Sequence, residues 1–124
     1  MFGVVIQQVM SFMSAAESPC PIARAAALVG DTWTILIVRD LMGGARRFGA
    51  LQQSLGAVSP KTLSQRLKFL EAEGIVSRQA FPEIPPRVEY NLTEKGQALS
   101  EIMEALRLFG ERYLALDEPI LDAS

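Results

Sequence analysis

A chain of 124 residues, 49% hydrophobic and 21% charged, suits one globular domain with a modest core and excludes an unfolded polar chain. It has no histidine and a single cysteine, Cys20. That removes imidazole acid–base catalysis, the Ser-His-Asp triad and nearly every protein-only zinc site, and it leaves no internal disulfide framework, as suits a reducing cytoplasm. The net charge of −2 is unevenly spread: residues 32–92 hold eight basic and five acidic side chains, and residues 93–124 hold three basic and seven acidic. The middle of the chain is therefore where phosphate would be attracted, though an excess of three charges makes non-specific attraction weak.

Met1-Phe2-Gly3-Val4-Val5-Ile6-Gln7-Gln8-Val9-Met10 is apolar, but it lacks a basic leader and is interrupted by two glutamines, so it reads as neither a secretion signal nor a membrane span. Two readings stay open: an accessory helix packing on a partner subunit, or an extension from an upstream start, since Met13 would also serve. Beyond Ser18-Pro19-Cys20-Pro21, the alanine-rich run from Ile22 to Val29 reads as a short helix ended by Gly30. Asp31 or Thr32 then caps Trp33 to Met42, which is rich in β-branched residues, yet its cap, its length and the spacing of Trp33, Ile37 and Leu41 favour a helix over a buried strand. Gly43-Gly44 reads as a turn and not a phosphate loop, since no strand precedes it. Arg46 and Arg47 begin a two-turn helix that runs to Leu55 and stops near Gly56.

Residues 59–74 carry their own start and stop signals: Ser59 as N-cap, Pro60 at the first helical position and Gly74 at the left-handed position past the end. At 100° per residue Leu63, Leu67 and Leu70 share one stripe, and Lys61, Gln65 and Lys68 lie opposite with Thr62 and Ser64 beside them. Strands over Val76–Phe81 and Arg87–Leu92 follow, joined by Pro82-Glu83-Ile84-Pro85-Pro86 as a stiff hairpin tip. Thr93 caps a final long helix in which Leu99, Ile102, Met103, Leu106, Phe109 and Tyr113 recur at three- and four-residue steps. A helix that long outreaches so small a domain, so this stripe is the expected dimer interface. Helix, turn, helix and wing in that order describe a winged helix-turn-helix: mainly α with a small β-hairpin wing, homodimeric through its terminal helices.

From about Cys20 to Tyr113 the chain resembles the HxlR-type winged-helix transcriptional regulators, relatives of the MarR group. The resemblance rests on Cys20-Pro21-Ile22, Asp31-Thr32-Trp33-Thr34 with Ile35-Leu36, Arg46-Arg47-Phe48, Ser59 through Lys68, Gly74-Ile75-Val76, Pro85-Pro86-Arg87-Val88-Glu89-Tyr90 and Leu92-Thr93-Glu94-Lys95-Gly96. Each motif is weak alone, and seven in order are a strong signal. The resemblance implies a homodimeric, cytoplasmic repressor or activator whose terminal helices form the dimer and whose wing touches DNA. It also implies that the cysteine near the N-terminus is, as in some members, a redox or electrophile sensor. Residues before Ser14 extend beyond the usual start of the family.

The expected DNA-binding residues are Ser59, Lys61, Thr62, Ser64, Gln65 and Lys68 on the reading helix, Arg87 on the wing in reach of the minor groove, and Arg46 and Arg47 on phosphates. Gln65 and Ser64 can address base edges, glutamine most readily adenine. Arg66 lies nearer the apolar flank and is expected in a salt bridge, while Trp33 and Phe48 are expected in the core. Cys20 is either an inert small residue or a sensor at the positive end of a helix dipole, with Arg24 one turn on. The domain expected over residues 19–116 is flanked by an N-terminal extension, 1–18, and a tail, 117–124. The partners expected are a pseudo-palindromic double-stranded DNA operator, a second copy of the chain and a small-molecule or oxidant effector, without a membrane, metal, cofactor or catalytic site. The rival is a winged-helix protein-interaction module with no operator.

Overall fold

The computed structural model describes residues 15–116, so the expectations for residues 1–14 and for the tail 117–124 lie outside the described residues. A 3-10 turn at Ala15–Glu17 leads into α1 (Pro21–Val29), α2 (Thr32–Leu41), β1 (Arg46–Arg47), α3 (Phe48–Leu55), α4 (Pro60–Ala72), β2 (Val76–Phe81), β3 (Arg87–Leu92), α5 (Glu94–Gln97) and α6 (Ser100–Tyr113). Helix α2 is the centre of the domain, and its apolar composition follows from that position. Ile37, Val38 and Leu41 are fully buried against Leu51 and Leu55 of α3, Leu63, Leu67 and Leu70 of α4, and Val76 and Leu92 of the sheet. Asp31 starts α2 by accepting a hydrogen bond from the Thr34 amide at 3.0 Å. Trp33 and Phe48 are half-buried against this core, as their helical spacing predicts.

The start and stop signals of α4 act as read. Ser59 Oγ accepts from the Thr62 amide at 3.1 Å, Pro60 takes the first helical position, and Gly74 turns the chain at φ 74°. That turn delivers Ile75 and Val76 into the core and starts the hairpin. Strands β2 and β3 pair antiparallel from Val76↔Leu92 to Phe81↔Arg87.

Two expectations are corrected. Arg46 and Arg47 do not begin a helix. They form β1, an antiparallel third strand with Arg46↔Tyr90 and Arg47↔Glu89, giving the sheet order β1-β3-β2. The outer edge of β3 would otherwise present unpaired amides and carbonyls, and the extended Arg47 (φ −79°, ψ 159°) covers it before Phe48 turns into α3. Nor is the final helix continuous from Thr93. Thr93 caps α5, with its Oγ1 accepting from the Gly96 amide at 3.0 Å, but a tighter turn at Ala98 and Leu99 separates α5 from α6. The Thr93 hydroxyl donates to the Gly74 carbonyl at 2.5 Å, its amide donates to the Ile75 carbonyl at 2.9 Å, and Lys95 Nζ donates to the Glu73 carbonyl at 2.8 Å, so α5 is fastened to the turn after α4. The break lets α6 leave in its own direction while Leu99 and Met103 still reach the core.

Candidate nucleic-acid interface

The outward face of α4 is built by what its inward face buries. Leu63, Leu67 and Leu70 are each at most 1% exposed, which leaves Ser59, Lys61, Gln65 and Lys68 in solvent with Thr62 and Ser64 half-covered at the margin. The Ser59 hydroxyl is engaged twice, accepting from the Thr62 amide and donating to Thr62 Oγ1 at 3.0 Å, which leaves the Thr62 proton free. No ion pair involves Lys61 or Lys68 among the described residues, so both ammonium groups are available to phosphate. Arg66 differs: its Nε lies 3.6 Å from Asp31 Oδ2, the structural ion pair expected of it. The pair ties α4 to the start of α2 and is half-exposed, so it adds little stability.

The basic residues around this helix divide by their partners. Arg46 donates from Nε to the Asp40 carbonyl at 3.3 Å, at the negative end of α2, and Arg47 is exposed on the edge strand. Arg78, for which the sequence motifs raise no expectation, stands exposed on β2, in register with Tyr90. A basic residue alternating with small and polar ones on the first wing strand was the available signal. Arg87 is heavily committed within the wing. Its Nε donates to Glu83 at 2.6 Å, its Nη1 to Glu89 at 2.8 Å, and its guanidinium carbon lies 3.9 Å from the Phe81 ring centroid. Arg87, expected in reach of the minor groove, is thus paired with two carboxylates of its own hairpin.

Cys20 occupies the N-cap of α1 with Pro21 following, as its spacing predicts, and it is exposed. Its side chain caps nothing, and Arg24 donates to the Ser18 carbonyl at 2.7 Å. The apolar stripe of the last helix splits into two. Leu99 and Met103 pack on the core, Ile102 is half-buried, and Leu106, Phe109 and Tyr113 are exposed, the two rings 5.2 Å apart. Between this helix and the end of α2 runs a groove of about 540 Å³ lined by Arg39, Met42, Met103, Leu106 and Arg107. On the polar side, Arg107 donates to Glu104 at 3.0 Å and to Glu111 at 2.7 Å. Those hydrogen bonds hold the Glu104 carboxyl below its ordinary range and raise the guanidinium further above its own. Among the described residues no cluster of side chains could hold a metal ion, and no single helix is long and apolar enough to cross a membrane.

Comparison with known proteins agrees with this geometry. The sequence pattern of HxlR-like helix-turn-helix domains matches residues 28–118. The uncharacterized HTH-type transcriptional regulator sll1512 of Synechocystis sp. is 43% identical over 95 residues, 77% of this chain and 70% of its own length. The reduced form of the transcriptional regulator YodB from Bacillus subtilis superposes with a TM-score of 0.68 at 38% identity, covering 77% of this chain and 95% of that one. The redox regulator HypR in its oxidized form gives 0.74 at 30% identity, covering 78% of this chain and all of that one. With a capped helix, a wing and a match over about three-quarters of its length, the chain belongs to the HxlR-like helix-turn-helix family of DNA-binding transcriptional regulators.

Proposed function

We propose that the protein is a cytoplasmic homodimer that binds a pseudo-palindromic operator through α4 of each subunit and releases or rearranges it when Cys20 is oxidised or an effector binds. The observation that carries the reading is the solvent face of α4 directly before a wing, where Gln65 is exposed and Lys61 and Lys68 are free of ion pairs among the described residues. Lys61 and Lys68, with Arg46 and Arg47, bind phosphate, Ser64 and Gln65 face base edges, and Ser59 and Thr62 stand at the rim. Fluorescence anisotropy on the DNA upstream of its own gene, with excess unrelated duplex as competitor, tests this. Saturable binding that survives the competitor supports an operator, and loss of all binding to the competitor favours a protein-interaction module instead.

The exposed Leu106, Phe109 and Tyr113 support dimerisation through α6, because a soluble monomer seldom leaves such a stripe on one helix uncovered. Leu106→Glu with Phe109→Glu is expected to yield a folded monomer in sedimentation, since neither side chain is part of the core, with operator affinity lost along with the second reading helix. A dimer that survives both substitutions places the interface elsewhere.

Oxidation at Cys20 has a simple stoichiometry in such a dimer. Two Cys20 thiols, one from each subunit, lose two protons and two electrons to an oxidant such as diamide and form one disulfide, or each forms a mixed disulfide with a small thiol. The exposed thiol and the redox-regulator relatives support this reading. Diamide is expected to change operator binding by the wild type and to leave Cys20→Ser unaffected; an equal response in both removes Cys20 from the switch.

A further inference from the structure

The hairpin tip has an unusual distribution of polarity. Ile84 is 102% exposed, as open as in an isolated chain, although isoleucine is among the residues most often buried. Pro82, Pro85 and Pro86 surround it, and their fixed φ angles limit how far the tip can fold back. The nearest cation, Arg87, is held by Glu83 at 2.6 Å and Glu89 at 2.8 Å and stacks on Phe81. Two carboxylates against one guanidinium leave this cluster with a net negative charge, which draws no phosphate. Freeing Arg87 for DNA would break two charge-assisted hydrogen bonds and a cation–π contact. The same bonds tie Glu83, beside Ile84, back to the base of the loop. The tip also stands on the hairpin that directly follows α4 through Gly74 and Ile75.

We infer that the wing meets DNA through an apolar contact, Ile84 against the deoxyribose walls of the minor groove, and that Arg87 is a positioning residue that holds the tip. Apolar side chains are an established means of entering that groove, and a tip already restrained by prolines and ion pairs loses little freedom on binding. The inference rests on the DNA-binding reading above.

The test is a salt titration of binding between 50 and 200 mM, on a duplex that the wild type itself selects from a random pool, a range over which phosphate contacts weaken steeply. Ile84→Ala is expected to weaken binding about tenfold, the scale of one buried aliphatic side chain, with the slope of log affinity against log salt unchanged. The triple variant Glu83→Gln, Arg87→Gln, Glu89→Gln removes all three charges but keeps amides that can hydrogen-bond. It is expected to fall between the wild type and Ile84→Ala in affinity, again with the wild-type slope. Wild-type affinity for Ile84→Ala overturns the inference. So does a slope smaller by about 0.9 in the triple variant, which would mean that Arg87 contacts a phosphate. A wild type that selects no duplex removes the DNA reading and this inference with it, whereas the first two outcomes leave that reading intact.

Discussion

Gln65→Ala is expected to weaken operator binding by about 1–3 kcal/mol per half-site and to relax the preference at one base pair, with little change in salt dependence. Gln65 sits in the second turn of α4, exposed, between the buried Leu63 and Leu67 that fix how the helix is rotated. Its amide can give one hydrogen bond and accept another, the pattern that matches the N6/N7 edge of adenine. Lys61→Ala and Lys68→Ala form the contrast. Each is expected to weaken binding about equally on every sequence and to lower the salt slope by about 0.9. Anisotropy titrations on the operator and on its single-base-pair variants separate the two patterns. A Gln65→Ala protein that loses affinity uniformly would make Gln65 another backbone contact.

Gly96→Ala is expected to destabilise the domain although it adds a single methyl group. A Cβ there would overlap the Ile75 carbonyl oxygen and come within 3.1 Å of Leu92 Cδ2 and 3.2 Å of the Ile75 carbonyl carbon. Backbone that is itself tied to Thr93 cannot give way cheaply. Alanine gains up to about 1 kcal/mol of helix propensity, which offsets only part of the overpacking. A net loss of about 2 kcal/mol, seen as a fall in Tm on the order of 8 °C, is the expected outcome of thermal unfolding. Gly49→Ala is the control, because nothing lies within 4 Å of a Cβ there. It is expected to be neutral or to stabilise by less than about 1 kcal/mol. Equal melting of both variants would show that the α5 contact with the Ile75 turn contributes nothing special.

Local chemistry made much of the fold legible. Ser59, Asp31 and Thr93 announce helix starts because each offers an oxygen to an amide three residues on, and Gly74 announces a stop because the chain needs a positive φ there. The strands of the wing were readable from alternation and from prolines that no ladder admits. What escaped depended on partners distant in sequence. Arg46 and Arg47 carry no strand signal of their own and become β1 only because β3 offers an edge at Glu89 and Tyr90, far along the chain. The break at Ala98 and Leu99 lies just beyond the close approach of Gly96 to Ile75, which no periodicity displays. In the candidate interface, the exposed face of α4 followed from helical geometry alone. The capture of Arg87 by Glu83 and Glu89 did not, since it needs both the hairpin register and the fold of the tip.

Selection of duplexes from a random pool by the purified, reduced protein, followed by hydroxyl-radical footprinting of the winners, tests the central claim most directly. Two reading helices related by a dimer axis predict an enriched inverted repeat, with two protected patches centred about one helical turn, ~34 Å, apart on one face of the duplex. A pool that stays unenriched after repeated rounds, or a winner protected over one half-site only, would contradict a dimeric operator-binding regulator.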